Sequence, residues 1–186
     1  MDAPNSGPKT GDTSSVAAHR RKWSLESQLT ARHGAADDDS YQTRIALGVV
    51  HTLPTLTMAV FVEFGSARTI NVRQFRGDFN GLAVRAQLGY PLALGHWQME
   101  PELSLSVHAT TLEGRFAAMV IEESRFNPSI DLGFRLARTI KGVNVGVQLR
   151  GTGYTRSQRY LLDGVVILDL PALELAAGLS LRVPIF

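Results

Sequence analysis

The sequence predicts an all-β fold: a closed, antiparallel, up-and-down barrel of eight strands that crosses a membrane. Three observations carry this. Apolar and polar residues alternate with a period of two through eight segments, and no segment sustains a 3.6-residue period. The segments are joined alternately by short and long links. One face of all eight is free of charge, while the other mixes Arg, Glu and Gln with Gly, Ala and Ser.

The chain has 186 residues, a length that suits one domain with a tail. It has no cysteine, which excludes disulfides and thiolate metal sites. No apolar run is long enough for a membrane-spanning helix, and a net charge of +2 is too weak for a nucleic-acid partner. Residues 1–21 are rich in Pro, Gly, Ser, Thr and Ala and read as a flexible N-terminal tail; the barrel is expected over 22–186.

The first strand, about 23–32, alternates Trp23, Leu25 and Leu29 with Ser24, Glu26 and Gln28. The second, 41–50, sets Tyr41, Ile45, Leu47 and Val49 against Gln42 and Arg44. After the short link 51–55, the third (56–64) carries Met58, Val60, Val62 and Phe64, with Glu63 on its polar side. The long link 65–80 holds an Arg76-Gly77-Asp78 tripeptide, expected at a hairpin tip. The fourth strand (81–90) opposes Leu82, Val84, Leu88 and Tyr90 to Arg85 and Gln87. The fifth (97–109) opposes Trp97, Met99, Leu103, Leu105 and Val107 to Glu100, Glu102, Ser104, Ser106 and His108. The sixth (126–137) opposes Phe126, Ile130, Leu132, Phe134 and Leu136 to Asn127, Ser129, Asp131 and Arg135. The seventh (143–153) carries Gln148 and Arg150, and the eighth (173–185) Glu174, Ser180 and Arg182, each against a Leu/Val face. The long links contain strand-like runs, 115–126 and 161–170 among them, which predict hairpins projecting past the barrel rim.

A soluble barrel would turn the apolar face inward, and a membrane barrel turns it out. The polar face has no Lys, although the chain holds 16 Arg and 3 Lys; forked guanidiniums suit confined, fixed pairs. Its Gly, Ala and Ser suit a narrow interior. The apolar face has no charge at any depth, as lipid requires. Aromatics gather at strand ends: Trp23, Tyr90, Trp97 and Phe186 at the short-turn end, Tyr41, Phe64 and Phe126 at the other. These form the expected interfacial girdle. In hydrocarbon the sheet must close, so the last strand must pair with the first.

With that pattern the chain resembles the small eight-stranded bacterial outer-membrane barrels, the group of the OmpA transmembrane domain and OmpX. The end of the chain, with Gly178, Leu181, Val183 and Phe186, is similar to the C-terminal signal read by barrel-assembly machinery; Pro184 and the phase of Phe186 depart from it. The resemblance implies an outer-membrane location, a periplasmic tail, short periplasmic turns and long extracellular loops. It also implies membrane lipid and the assembly machinery as partners.

The inner face is expected to hold eleven ionisable residues. Six are acids (Glu26, Glu63, Glu100, Glu102, Asp131, Glu174) and five are bases (Arg44, Arg85, Arg135, Arg150, Arg182). Buried charges persist when paired, so these predict a salt-bridged plug. One acid is left over, to be matched by His108, by protonation or by water. The function expected is non-enzymatic: a structural or anchoring barrel that displays its hairpins to a protein partner, without cofactor or metal. Three rival readings stand beside it. Ser106 and His108, with Glu100 and Glu102 near them, would serve an outer-membrane lipid-modifying enzyme. A narrow channel and a soluble ligand-binding barrel are the others.

Overall fold

The structure, a computed structural model, describes residues 22–34, 41–72, 74–116, 119–162, 164–170 and 172–185. The tail expected over 1–21 lies outside them, as does Phe186. Twelve strands follow in order: β1 (Lys22–Gly34), β2 (Tyr41–Thr52), β3 (Thr57–Gly65), β4 (Arg68–Val72), β5 (Phe75–Gly89) and β6 (Leu92–Leu94). Then come β7 (Trp97–Phe116), β8 (Met119–Ile140), β9 (Val143–Tyr154), β10 (Gln158–Leu162), β11 (Val165–Leu170) and β12 (Leu173–Pro184). Eight of them, β1, β2, β3, β5, β7, β8, β9 and β12, form an antiparallel ring that closes where β12 pairs with β1.

Backbone partners followed once around the ring from Gln98 run through Ala137, Gly146, Ser180, Gln28, Ala46, Glu63 and Ala83. They return to β7 at His108, ten residues further along. That stagger tilts the strands and fixes the width of the lumen. At the short-turn end, Lys141 and Gly142 both take positive φ (50° and 84°) to join β8 to β9 in two residues. This is the tight turn that suits twisted strands.

The alternation sorts side chains cleanly. Leu25, Leu29, Leu47, Val60, Leu105, Leu132, Leu149 and Leu179 stand exposed on the outside. Glu26, Gln28, Glu63, Arg85, Glu100, Arg135 and Arg150 are buried inside. Inward glycines make room for larger neighbours. A Cβ at Gly48 would collide with the Phe61 ring, and one at Gly89 with the Glu100 carboxylate and the Thr57 hydroxyl.

Three ring strands outrun their expected bounds. β5 starts at Phe75 rather than 81, β7 ends at Phe116 rather than 109, and β8 starts at Met119 rather than 126. β7 and β8 have 20 and 22 residues, about twice the roughly 10 that span a bilayer. The reason is a reversal of polarity. Past Leu82, Val107 and Phe126 the outward positions become Asn80, Asp78 and Arg76 on β5, Glu113 and Arg115 on β7, and Ser124 and Glu122 on β8. On β5 and β7 the inward positions become apolar, whereas β8 keeps Glu123 and Arg125, paired with each other, on its inner side. Phe75, Phe79 and Leu112 pack with Ile70 of β4, Tyr160 of β10, and Ile167 and Leu168 of β11. The strand-like stretches 161–170 and 115–126 therefore contribute to a second small core, although Val120 at the tip stays 77% exposed. The Arg76-Gly77-Asp78 tripeptide follows the β4–β5 turn at the start of β5, where it is paired with β4 on one side and β7 on the other, and is not at the hairpin tip itself. Gly77 faces Gly114, and the Phe75 ring occupies the space both leave.

This two-core arrangement predicts separable stability. Phe75→Ala removes the ring that fills the glycine cradle, at about 3–5 kcal/mol for a buried Phe. Limited proteolysis should then cut within 66–80, 111–125 and 155–172, while the ring of eight strands persists as a protected fragment.

Candidate functional site

Among the described residues, most of the buried ionisable side chains lie in the lumen. Of the eleven expected there, ten are buried and Glu174 is partly buried at the long-loop rim. They fall into two clusters. Toward the short-turn end, Arg182 Nε lies 2.6 Å from Glu26 Oε2, and Arg182 and Arg135 each place Nη1 3.3 Å from Glu100 Oε2. Thr57 donates to Glu100, and Arg135 Nε donates to Ser180 Oγ at 2.8 Å.

The second cluster centres on Glu63. Arg32 Nη2 lies 2.7 Å from its Oε2 and Arg150 Nη1 3.2 Å from its Oε1; Arg85 pairs with it directly and Arg44 stands at 3.9 Å. Gln28 joins the two clusters. Its Nε2 donates to Glu26 at 3.0 Å, and its Oε1 accepts from Arg85 at 2.6 Å and Arg150 at 3.1 Å. Phe61 closes the gap beside them, with the Arg85 guanidinium 4.5 Å over its ring.

Arg32 and Phe61 are the residues that sequence reading missed. Arg32 shares the parity of Glu26 and Gln28 and is the last residue of the expected first strand. Phe61 shares the parity of Ala59 and Glu63 but is large and apolar on a face read as polar. Arg32 bridges Glu63 and Glu174, at 2.7 and 3.3 Å, so it is the sixth cation and His108 is not. Nor is the matching one to one. Glu102 and Asp131 have no ion pair among the described residues, and Asp131 instead accepts from Ser106 Oγ at 2.7 Å.

Ser106 and His108 do not pair with each other. His108 Nδ1 lies 2.9 Å from Arg44 Nη1, and Nε2 lies 3.0 Å from Ser129 Oγ. A guanidinium only donates, so Nδ1 accepts and the ring proton sits on Nε2. The imidazole therefore donates to Ser129 and has no lone pair free to act as its base.

At the long-loop mouth the β10–β11 hairpin folds over the lumen. Thr110 Oγ1 meets the Tyr160 hydroxyl at 2.9 Å and donates to Gln158 Oε1 at 3.1 Å; Asn127 Nδ2 donates to the Arg156 carbonyl at 2.8 Å. The Arg125 guanidinium lies 4.1 Å over the Tyr160 ring, and burial holds that phenol above its ordinary range.

No protein-family model matches the sequence, and no curated protein matches it. Solved structures do. A major outer membrane protein from Thermus thermophilus superposes with a TM-score of 0.65 at 13% identity, over 88% of this chain and 100% of that one. Neisserial surface protein A gives 0.56 at 10% identity, over 89% and 97%. Ail of Yersinia pestis, in complex with the heparin analogue sucrose octasulfate, gives 0.50 at 10% identity, over 87% and 97%. The fold is that of the small eight-stranded outer-membrane barrels.

On this fold the expected girdle residues fall at the two ends of the apolar belt. Trp23, Tyr90 and Trp97 are exposed at the short-turn end, with Trp23 stacked on His51 at 4.3 Å; Phe64 and Phe126 are exposed at the other. The side chains of Tyr41 and Phe186 lie outside the described residues. Of the expected assembly signal, Leu181 and Val183 face outward, and Gly178 packs its bare Cα against Thr30 and the Leu29 carbonyl.

The unequal pairing sets opposite outcomes for two acids. Glu63→Gln leaves four guanidiniums around a neutral amide and should cost about 3–5 kcal/mol, as removal of one partner of a buried ion pair does. Glu102→Gln replaces a buried carboxyl that has no ion pair and should leave stability unchanged or higher. Urea titration of both variants in detergent, followed by tryptophan fluorescence, measures the contrast.

Proposed function

We propose that the protein is a non-enzymatic integral barrel of a bacterial outer membrane, sealed along its axis and built to display an extracellular sheet to a protein partner. The observation that carries this is the reversal of polarity along β5 and β7. Over one height of the ring the outside is apolar and the inside charged; past Leu82 on β5 and Val107 on β7 the outside is polar and charged and the inside builds an apolar core. The first arrangement suits lipid and the second suits water. The change between them marks the membrane surface, with the girdle aromatics at its level.

The interlocked clusters around Glu63 and Glu100, with Phe61 between, act as a plug, as eight-stranded barrels are filled by their side chains. The projecting sheet offers a binding edge. β8 pairs with β7 from Met119 onward, but its pairing with β9 begins only at Ser129. Residues 119–124 thus present backbone donors and acceptors to an incoming strand, while Pro128 is already bonded to Thr155 and Arg125 to the hairpin; Glu122 guards the remaining edge against indiscriminate pairing. The short turns and the tail then lie on the periplasmic side. Assembly follows from closure of β12 on β1, with Gly178, Leu181, Val183 and Phe186 as the segment the assembly machinery reads.

The absence of cysteine makes the topology directly measurable. Val120→Cys should react with a membrane-impermeant maleimide in intact cells, whereas Lys141→Cys should react only after the outer membrane is opened. The purified protein should migrate faster unheated than boiled on a detergent gel and give no steady conductance in a planar bilayer. Labelling of Lys141→Cys in intact cells would reverse the orientation, and a protein that stays dispersed without detergent would remove the membrane reading.

A further inference from the structure

We infer that the vestibule beneath the β10–β11 hairpin is a binding site for a small monovalent inorganic anion of the size of chloride. The inference rests on the lumen alone and not on what surrounds the barrel.

Three observations converge. The first is a division of charge along the lumen. Arg32, Arg44, Arg85 and Arg150 share the long-loop half with Glu63, Asp131 and Glu174, which leaves one positive charge in excess. In the short-turn half Arg135 and Arg182 are matched by Glu26 and Glu100, so no cation is in excess there.

The second is a cavity of about 30 Å³ at the top of the positive half, lined by Gln42, Arg44, His108, Asn127, Tyr154 and Gln158. Phe79 and Leu170 also line it, from β5 and from the hairpin. One water-sized species needs roughly 10–15 Å³ of such space. The cavity thus admits a halide and excludes phosphate, sugars and carboxylated metabolites while the hairpin is seated.

The third is the chemistry of the lining. Arg44 Nε donates to Gln42 Oε1 at 3.1 Å, which fixes the amide so that Nε2 is the remaining end. That Nε2 is a buried donor with no hydrogen-bond partner, and such a donor costs about what a lost hydrogen bond costs. The acid in the lining, Glu174, is already engaged by the Tyr154 hydroxyl at 2.7 Å and by Arg32 at 3.3 Å, so it does not repel an anion as a free carboxylate would. His108 Nδ1 is held as an acceptor by Arg44. Among the lining residues Arg44 brings a guanidinium and Gln42 an amide N–H that stands over Gly65, with Phe79 and Leu170 as the apolar part of the wall, and that set favours a small anion.

The test uses the purified, folded protein in detergent. The midpoint of its heat-induced conversion to the unfolded gel form is measured in sodium chloride, sodium bromide and sodium gluconate at one ionic strength. The midpoint should rise with halide concentration and stay flat when gluconate replaces halide. Gln42→Leu, which keeps the size of the side chain and removes the donor, should shift the halide concentration required by tenfold or more. Arg159→Ala, whose partner Asp169 is on the outer surface of the hairpin, should leave it unchanged. Crystals grown in bromide should show an anomalous peak beneath the hairpin. Equal midpoints in halide and gluconate would overturn the site. So would an undiminished halide effect in Gln42→Leu, which would place the effect on the protein surface.

Discussion

The constraint on which the structure depends is the cost of holding guanidiniums and carboxylates away from bulk water. Each such ion forfeits several kcal/mol of hydration, which only close, multiply bonded partners offset. The lumen meets this with carboxylates that serve several guanidiniums at once and with Gln28, which spans both clusters. Small residues follow from the same demand. Long charged side chains must lie across the barrel, so Gly89 stands beneath Glu100 and Gly133 beneath Glu102. The exterior is then left to apolar residues, since a strand has only two faces. Closure by the β12–β1 pairing satisfies the backbone and removes every edge over that height.

The same rule, applied with its sign reversed, builds the projecting sheet. Where the outward positions turn polar, the inward ones supply an ordinary apolar core, and the ring ceases to be filled by ions. The hairpin of β10 and β11 belongs to this second core by its Tyr160, Ile167 and Leu168, and to the lumen by its hydrogen bonds to Thr110. It therefore couples the two parts. The projection has the free edge of β8, so stability and recognition are divided between regions with different cores.

Period-two alternation made the eight ring strands, their order and their faces legible, because a strand that separates two unlike environments must alternate strictly. The lumen acids and bases were legible for the same reason. Strand ends were not: past Leu82 the alternation continues with its polarity inverted, and a reading that followed the outward apolar series stopped there. Arg32 was lost at such an end, although its parity with Gln28 marked it. Phe61 was lost because a large apolar side chain among polar ones looks like a break in pattern, whereas it packs under Arg85 as an apolar wedge. Which acid meets which base was not legible at all. The partners lie on strands far apart in sequence, Arg182 and Glu26 being 156 residues apart, and only the register in which β12 closes on β1 sets those two opposite each other.

The central claim is that the exposed Leu and Val belt faces lipid. It is tested most directly at Leu132, which is 68% exposed near the middle of that belt. Leu132→Arg and the unaltered chain are folded reversibly into lipid bilayers and titrated with denaturant. The account predicts a loss of about 2–4 kcal/mol, the cost of Arg at the hydrocarbon midplane. A change within about 0.5 kcal/mol, as for a substitution on a water-facing surface, would contradict it.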